Sequence, residues 1–276
     1  MSYVEEMFGL AGKTIAITGA GGVIAGAMAE ALLRAGGNVS LWAHHQVSAE
    51  AASRRLVESG AVEADAAAGR IQVLEADAAD EQSVRAALAA AEQKFGAVDV
   101  LINCAGGNRG MSRFLDLDVK LFEEVLSLNL VAGLVVPTRV VAARWMEEKK
   151  RGCIINLASM SSFVPLSGVW AYDAAKAAVH SLTMATAKEF ASFGIRVNAL
   201  APGFFIGNQN RALLMDAATG ELTERGRKII AHTPFGRFGK VAELSGALLF
   251  LASETAAGFV TGVTLPVDGG YLVDNI

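Results

Sequence analysis

Residues 13–22 read Lys13-Thr14-Ile15-Ala16-Ile17-Thr18-Gly19-Ala20-Gly21-Gly22, an apolar run that ends in a glycine cluster. A short run of this kind suits a strand buried on both faces. Helical composition follows over residues 25–35. Glycines between a first strand and a first helix let the backbone turn tightly and approach a pyrophosphate resting on the helix N-terminus. A glycine cluster alone is a weak signal. Its weight comes from its place at the first strand–helix junction of an alternating chain.

The alternation continues outward. Apolar runs at residues 38–42, 71–75, 98–104, 153–158, 195–200 and 263–266 read as strands. Helical stretches begin near residue 48 and cover 81–95, opened by Asp80 as N-cap, then 121–146, 174–190 and 242–251. Strict alternation with unbroken apolar strands predicts a doubly wound parallel α/β sheet of the Rossmann type. One domain over residues 1–276 is expected, with a single excursion at 204–237 that is polar and helical in parts.

Composition narrows the function classes. Of 276 residues, 53% are hydrophobic and 19% charged, which excludes a disordered chain. A net charge of −4 leaves no basic surplus for nucleic acid. Two cysteines, Cys104 and Cys153, make no disulfide framework and suit a reducing cytoplasm. Residues 1–10 hold two glutamates and no basic region, so no signal peptide is expected. No unbroken apolar stretch of about 18 residues is apparent, so no membrane helix is expected either. His44, His45, His180 and His232 show no metal-ligand spacing, and no metal is expected. Gly-x-Ser-x-Gly and Gly-x-x-x-x-Gly-Lys are both absent, which disfavours a hydrolase elbow and a P-loop.

Several polar and glycine positions fall at strand ends, where open α/β sheets bind ligands. Asp77 and Ala78 follow the third strand, Asn103-Cys104-Ala105-Gly106 close the fourth, and Pro202-Gly203 follow the sixth. The second strand ends in Ala43-His44-His45, where a carboxylate would hold the ribose hydroxyls of NAD. Lacking that carboxylate, the strand end leans to NADP, with His44 facing the ribose phosphate.

Tyr172 and Lys176 stand at i, i+4 on one helix face. A free tyrosine titrates near pH 10, too high for acid–base work at neutrality. A neighbouring ammonium lowers that value. Ser159, after the fifth strand, is placed to donate to a carbonyl or hydroxyl oxygen.

With these spacings combined, the sequence resembles the classical short-chain dehydrogenase/reductase family over essentially its whole length. The matching residues are Thr18-Gly19-Ala20-Gly21-Gly22, Asp77, Asn103-Cys104-Ala105-Gly106, Asn129, Ser159, Tyr172 with Lys176, Arg196 with Asn198, Pro202-Gly203 and residues 266–270. The resemblance implies NAD or NADP as cofactor and Tyr172 as proton donor and acceptor. It implies that Ser159 orients the reacting oxygen and that Lys176 lowers the tyrosine pKa and binds the nicotinamide ribose. Asn129 would hold a water linking Lys176 to solvent. The cofactor would lie against Gly19, Gly21, Gly22, Val23, Ile24, Ala43, His44, Asp77, Ala78, Asn103, Ala105, Gly106, Pro202, Gly203 and Phe205. Two positions depart from the family pattern. Val23 and Ala25 replace glycines, and Gly207 stands where a threonine usually holds the carboxamide, with Asn208 beside it. The family usually forms tetramers, so a homo-oligomer is expected through residues 121–146 and 174–190 and the C-terminal strand.

The excursion groups Asn208, Gln209, Asn210 and Arg211 behind Phe204-Phe205. Amides suit multiple hydroxyls, and a guanidinium suits a carboxylate. Asn108 and Arg109 are expected on the opposite wall. This pattern, with residues 222–226 and 232–234, resembles the sugar-acid group that includes D-mannonate oxidoreductases and gluconate 5-dehydrogenases, which leans to NAD. The expected substrate contacts are therefore Ser159, Tyr172, Asn108, Arg109, Gln209 and Arg211, and the expected reaction interconverts a secondary alcohol and a ketone of a sugar acid such as D-mannonate. The alternatives are a 3-oxoacyl-carrier-protein ketoreductase and a non-catalytic NAD(P) sensor.

Overall fold

Ile15 and Ile17 lie on one side of the first strand and Ala16 on the other, and none has exposed surface. A strand buried on both faces needs a layer on each side, which the chain supplies by alternating strand and helix. The computed structural model describes residues 2–207, 211–216 and 219–274. Its strands are β1 (Thr14–Thr18), β2 (Asn38–Ala43), β3 (Ile71–Glu75), β4 (Val100–Asn103), β5 (Gly152–Leu157), β6 (Ile195–Pro202) and β7 (Thr264–Val267). They form one sheet in the order β3-β2-β1-β4-β5-β6-β7, and every neighbouring pair is parallel. This is the doubly wound Rossmann-type arrangement. The chain leaves β1 in one direction and returns to β4 on its other side, which opens a crevice at the carboxyl ends of those two strands.

The helices are α1 (Tyr3–Phe8), α2 (Val23–Arg34), α3 (Gln46–Glu58), α4 (Ala67–Arg70), α5 (Glu81–Phe95), α6 (Val119–Leu126), α7 (Val136–Glu147), α8 (Trp170–Phe190), α9 (Arg211–Leu214), α10 (Glu224–Ala231), α11 (Ser245–Ala252) and α12 (Glu254–Ala257). Ile15, Ile17, Leu32, Leu41, Leu248 and Leu251 fill one core layer. Ala16, Trp42, Leu101, Val141, Trp145 and Ile154 fill the other. The two buried indoles find partners: Trp42 Nε1 donates to Ser40 Oγ at 2.8 Å, and Trp145 Nε1 to the Val98 carbonyl at 2.7 Å. Asp80 caps α5 as expected, accepting from the Gln82 and Ser83 amides.

Three boundaries differ from the sequence expectation for physical reasons. The fourth strand stops at Asn103, because the amides of Cys104 and Ala105 turn out of the ladder and donate to Thr18 Oγ1 at 3.1 and 3.2 Å. The long helix is continuous from Val119 to Glu147, but its middle, Ser127–Val135, winds as a π-helix. By length and composition this helix is able to cross a membrane, which corrects the expectation that no such stretch exists. More than half of its most apolar window is buried in the fold, and it packs on α8. Finally, α8 starts at Trp170, earlier than expected, so that Tyr172 lies in its first turn.

The tightest backbone approach is between the β1 and β4 ends. A Cβ on Gly19 would come within 2.6 Å of Ala105 Cα, and Gly19 has φ +64°. Only glycine satisfies both conditions without displacing the other loop. Gly19→Ala should lower stability by about 1–3 kcal/mol, read as a lower urea midpoint with an unchanged slope. An unchanged midpoint would mean that the two loops do not depend on this contact.

Candidate active site

A cleft of about 480 Å³ opens at the carboxyl ends of β1, β4, β5 and β6. Gly19, Gly21, Gly22, Val23 and Ile24 form one end of it. Gly22 caps α2 without a side-chain hydrogen bond, and no side chain among the described residues accepts from the first-turn amides. A bare helix N-terminus behind a glycine turn is the cradle a pyrophosphate requires. The donor set therefore fits a dinucleotide, and Gly106, Pro202, Gly203 and Phe205 continue along the same cleft. Val23 and Ala25 begin the helix where glycines were expected and do not close the cradle.

Farther along, Ser159, Tyr172 and Lys176 face the cleft together. Ser159 Oγ accepts from the Ser161 amide at 3.1 Å, which fixes its rotamer, and its hydroxyl hydrogen-bonds the Tyr172 phenol. Lys176 is 4% exposed. Its Nζ donates to the Leu157 carbonyl at 2.6 Å and lies 5.6 Å from the Tyr172 ring centroid. Burial pushes the lysine down to about 8 and the tyrosine above its usual value, the latter opposed by the Ser159 hydrogen bond. This corrects one expectation. The ammonium is directed at Leu157, and burial outweighs it, so Tyr172 is not lowered but raised. Beside them the thiol of the half-buried Cys104 is pushed up to about 12 by desolvation and stays neutral. Asp173 Oδ2 accepts from the Leu166 amide at 3.1 Å, tying the loop between Ser159 and Tyr172 to the base of α8.

Asn129 has no exposed surface and lies in the π-helical segment. Its Oδ1 accepts from the Gly107 amide at 3.0 Å, and its Nδ2 donates to the carbonyls of Gly107 and Val125. It thus braces the loop after β4, with both amide hydrogens engaged. A Cβ on Gly106 would meet Asn129 Oδ1 at 2.7 Å and Lys176 Nζ at 3.6 Å, so a glycine there lets these groups converge.

Other expected residues fall elsewhere. Asn103 is not on the cofactor surface. It has no exposed surface, and its Nδ2 donates to Thr138 Oγ1 and Asn156 Oδ1, because its side chain points into the layer beneath the sheet. Ala105 is half-buried against Gly19. Ala43 is buried, His44 stands 3.9 Å from Asp77, and Ala78 is half-buried next to them. These four lie beyond the 480 Å³ cleft, at the ends of β2 and β3.

On the substrate side, Asn108 lines the cleft. Arg109 does not: it is exposed and 3.9 Å from Glu124. Gln209 and Asn208 lie outside the described residues. Arg211 is exposed and does not line the cleft, because α9 turns Leu213 and Leu214 inward instead. Besides Lys176, the cation that lines it among the described residues is Arg225, on α10, which the sequence reading passed over. Thr223 Oγ1 caps that helix by accepting from Gly226, Lys228 pairs with Glu224 at 2.7 Å, and Arg227 donates to the Leu222 carbonyl. Arg225 acts electrostatically on Tyr271, whose ring contacts Phe204, but makes no hydrogen bond or ion pair with any described residue. The signal was the cap motif: a helix starting at Thr223 sets Arg225 in its first turn.

Comparison with known proteins agrees with this geometry. Residues 19–272 match a family model described as enoyl-(acyl carrier protein) reductase, a short-chain dehydrogenase/reductase model. The chain is 41% identical to the uncharacterized oxidoreductase UxuB of Bacillus subtilis, over 95% of this chain and 96% of that one. It is 34% identical to gluconate 5-dehydrogenase of Gluconobacter oxydans, over 97% and 98%. A crystal structure from Haemophilus influenzae, described as a candidate D-mannonate oxidoreductase with bound NAD, superposes with TM-score 0.88 at 37% identity, covering 99% of each chain. Solved relatives hold NAD or NADP. The cradle at α2 and the Ser159–Tyr172–Lys176 cluster are thus parts of one known architecture: the chain belongs to the short-chain dehydrogenase/reductase family, as an NAD(P)-dependent oxidoreductase acting on alcohol groups.

Proposed function

We propose that the enzyme interconverts a secondary alcohol and a ketone of a sugar acid, such as D-mannonate and D-fructuronate, within one domain whose residues 204–237 cover the substrate. The observation that carries this reading is the guanidinium of Arg225, which has no hydrogen-bond or ion-pair partner among the described residues and lies in the same cleft as Ser159 and Tyr172. A carboxylate is the natural partner of a half-buried, unpaired guanidinium, which holds it through two parallel hydrogen bonds.

When bound, a nicotinamide would supply or accept the hydride. The chain's own residues manage the oxygen and its proton. Tyr172, raised by burial, is protonated at neutral pH and is ready to donate to a carbonyl oxygen as negative charge develops there. Ser159, held by Ser161, orients that oxygen. The Lys176 ammonium, charged below about pH 8, stabilises the tyrosinate left behind in a site of low dielectric. Gly19, Gly22 and the α2 N-terminus would hold the pyrophosphate, and Asn129 keeps the Gly107 loop in place.

The acyl-carrier ketoreductase reading has one observation in its favour, the apolar lining from Met111, Met160, Leu213 and Leu214. A half-buried cation with no partner among the described residues is unhelpful to an acyl chain, so Arg225 favours the sugar-acid reading. A sensor has no use for the Ser159–Tyr172–Lys176 geometry. We also propose a cytoplasmic homotetramer, supported by the two free cysteines and by exposed Val131, Val135 and Met184 on the long helix and α8.

Arg225→Met should reduce kcat/KM for an aldonate about ten- to hundredfold, the loss of a charged hydrogen bond, and spare a neutral polyol of the same length. Equal losses on both would remove the carboxylate-reading role. Tyr172→Phe should lower the rate about 10²–10⁴-fold with nucleotide affinity unchanged, measured by steady-state kinetics and fluorescence titration. Lys176 yields a prediction of opposite sign for stability. Its pKa is near 10.5 unfolded and about 8 folded, so between those values the unfolded chain binds more protons and stability rises with pH. Below pH 8 the buried charge costs on the order of 3 kcal/mol, offset by about 1 kcal/mol from the Leu157 hydrogen bond. Lys176→Met should therefore abolish turnover yet raise the denaturation midpoint at pH 7, and the gain should shrink as pH climbs from 8 toward 10.5. A variant less stable than the parent at pH 7 would refute this.

A further inference from the structure

The end of β2 lacks the carboxylate that would hold ribose hydroxyls, since Ala43 stands there and is buried. The sequence alone therefore leans to NADP. The register of the sheet changes that reading. Ala43 is paired with Glu75 of β3, and paired residues of a parallel ladder project from the same face of the sheet. The Ala43 carbonyl accepts from Ala76 at 2.8 Å, which locks the two strand ends together. Glu75 is exposed, and its Oε2 accepts from the amide of Gln46 at 3.2 Å. Gln46 is the first residue of α3, whose N-cap His45 makes no side-chain hydrogen bond. A carboxylate from the neighbouring strand thus already occupies the helix N-terminus at the end of β2. Asp77 lies on the same edge, and its near neighbour is His44 at 3.9 Å. Among the described residues neither Glu75 nor Asp77 is paired with a lysine or arginine.

We propose that Glu75 selects NAD over NADP, acting as the ribose-reading carboxylate that β2 itself does not carry. A ribose hydroxyl at the end of β2 would meet an acceptor one strand over. A 2′-phosphate there would meet a negative charge seated on the α3 N-terminus that otherwise attracts phosphates. Binding of the nucleotide alone reads this, so the inference stands apart from the choice of substrate.

The test is fluorescence titration of the full-length protein with NADH and with NADPH. Wild type should bind NADH more tightly by about tenfold or more, the scale of one charge–charge contact near a surface. Glu75→Gln retains an oxygen for the Gln46 amide and removes only the charge. It should tighten NADPH about tenfold and weaken NADH several-fold, because the ribose hydroxyls lose a charged acceptor, so that the NADH preference disappears. If Glu75 merely caps α3, the variant shifts both nucleotides alike, and the proposal fails. It fails equally if wild type binds NADPH as tightly as NADH. A salt series on the wild type needs no variant: screening should weaken the repulsion, so the NADH preference should narrow between low and high ionic strength. A preference that widens with salt overturns the assignment.

Discussion

The site depends on how α8 is seated against the carboxyl end of β5. A lysine ammonium is placed where almost no water reaches it, and three contacts hold it there. Lys176 Nζ donates to the Leu157 carbonyl, Ser162 Oγ donates to the Lys176 carbonyl at 2.7 Å, and Asn156 Nδ2 donates to Thr183 Oγ1 at 2.9 Å two turns along. These bonds fix both the rotation and the height of α8 relative to β5. Tyr172, one turn before the lysine, is then brought to Ser159, which follows the same strand. A buried charge is a stability liability that persists only when the surroundings over-determine it.

The second constraint is the space that glycine leaves between the β1 and β4 loops. Thr18 accepts the two amides that end β4, and the chain after them swings toward Asn129 and Lys176. Asn129 meets that loop because the long helix is π-wound at its level. An extra residue in the turn rotates an interior side chain out of α-helical register, a common device at functional sites. The nucleotide cradle and the proton-handling groups are therefore coupled through one loop, residues 104–107.

Much of this was legible in the sequence because it is local. Unbroken apolar strands gave the parallel sheet, Asp80 gave a cap, and the four-residue step from Tyr172 to Lys176 placed both on one helix face. The unread parts depend on pairings between distant segments. Asn103 looked like a surface loop residue at a strand end. Only the positions of Thr138 and Asn156 show that its amide is interior. Arg211 looked like the cation of the lid, but a four-residue helix with Leu213 and Leu214 facing in leaves Arg211 in solvent. The direction of the Tyr172 shift was likewise invisible, since it follows from burial rather than from spacing.

The same logic explains why charge placement escapes a motif reading here. A pattern anchored to one strand asks what stands at position 43 and finds alanine. The sheet offers a different position to the same ligand edge, because parallel strands bring residue 75 beside it in register. The lid works similarly. Of the three basic residues on α10, Lys228 pairs with Glu224 within its own helix and Arg227 binds a backbone carbonyl, which leaves Arg225 as the one whose charge has no partner among the described residues. On the two proposals made above, nucleotide and substrate selectivity each rest on a single charge supplied by a neighbouring element rather than by the motif itself. A neighbouring element is free to vary without disturbing the strand and loop that carry the chemistry, so one scaffold can exchange cofactor and substrate preference while Tyr172, Lys176 and Ser159 stay where α8 and β5 put them.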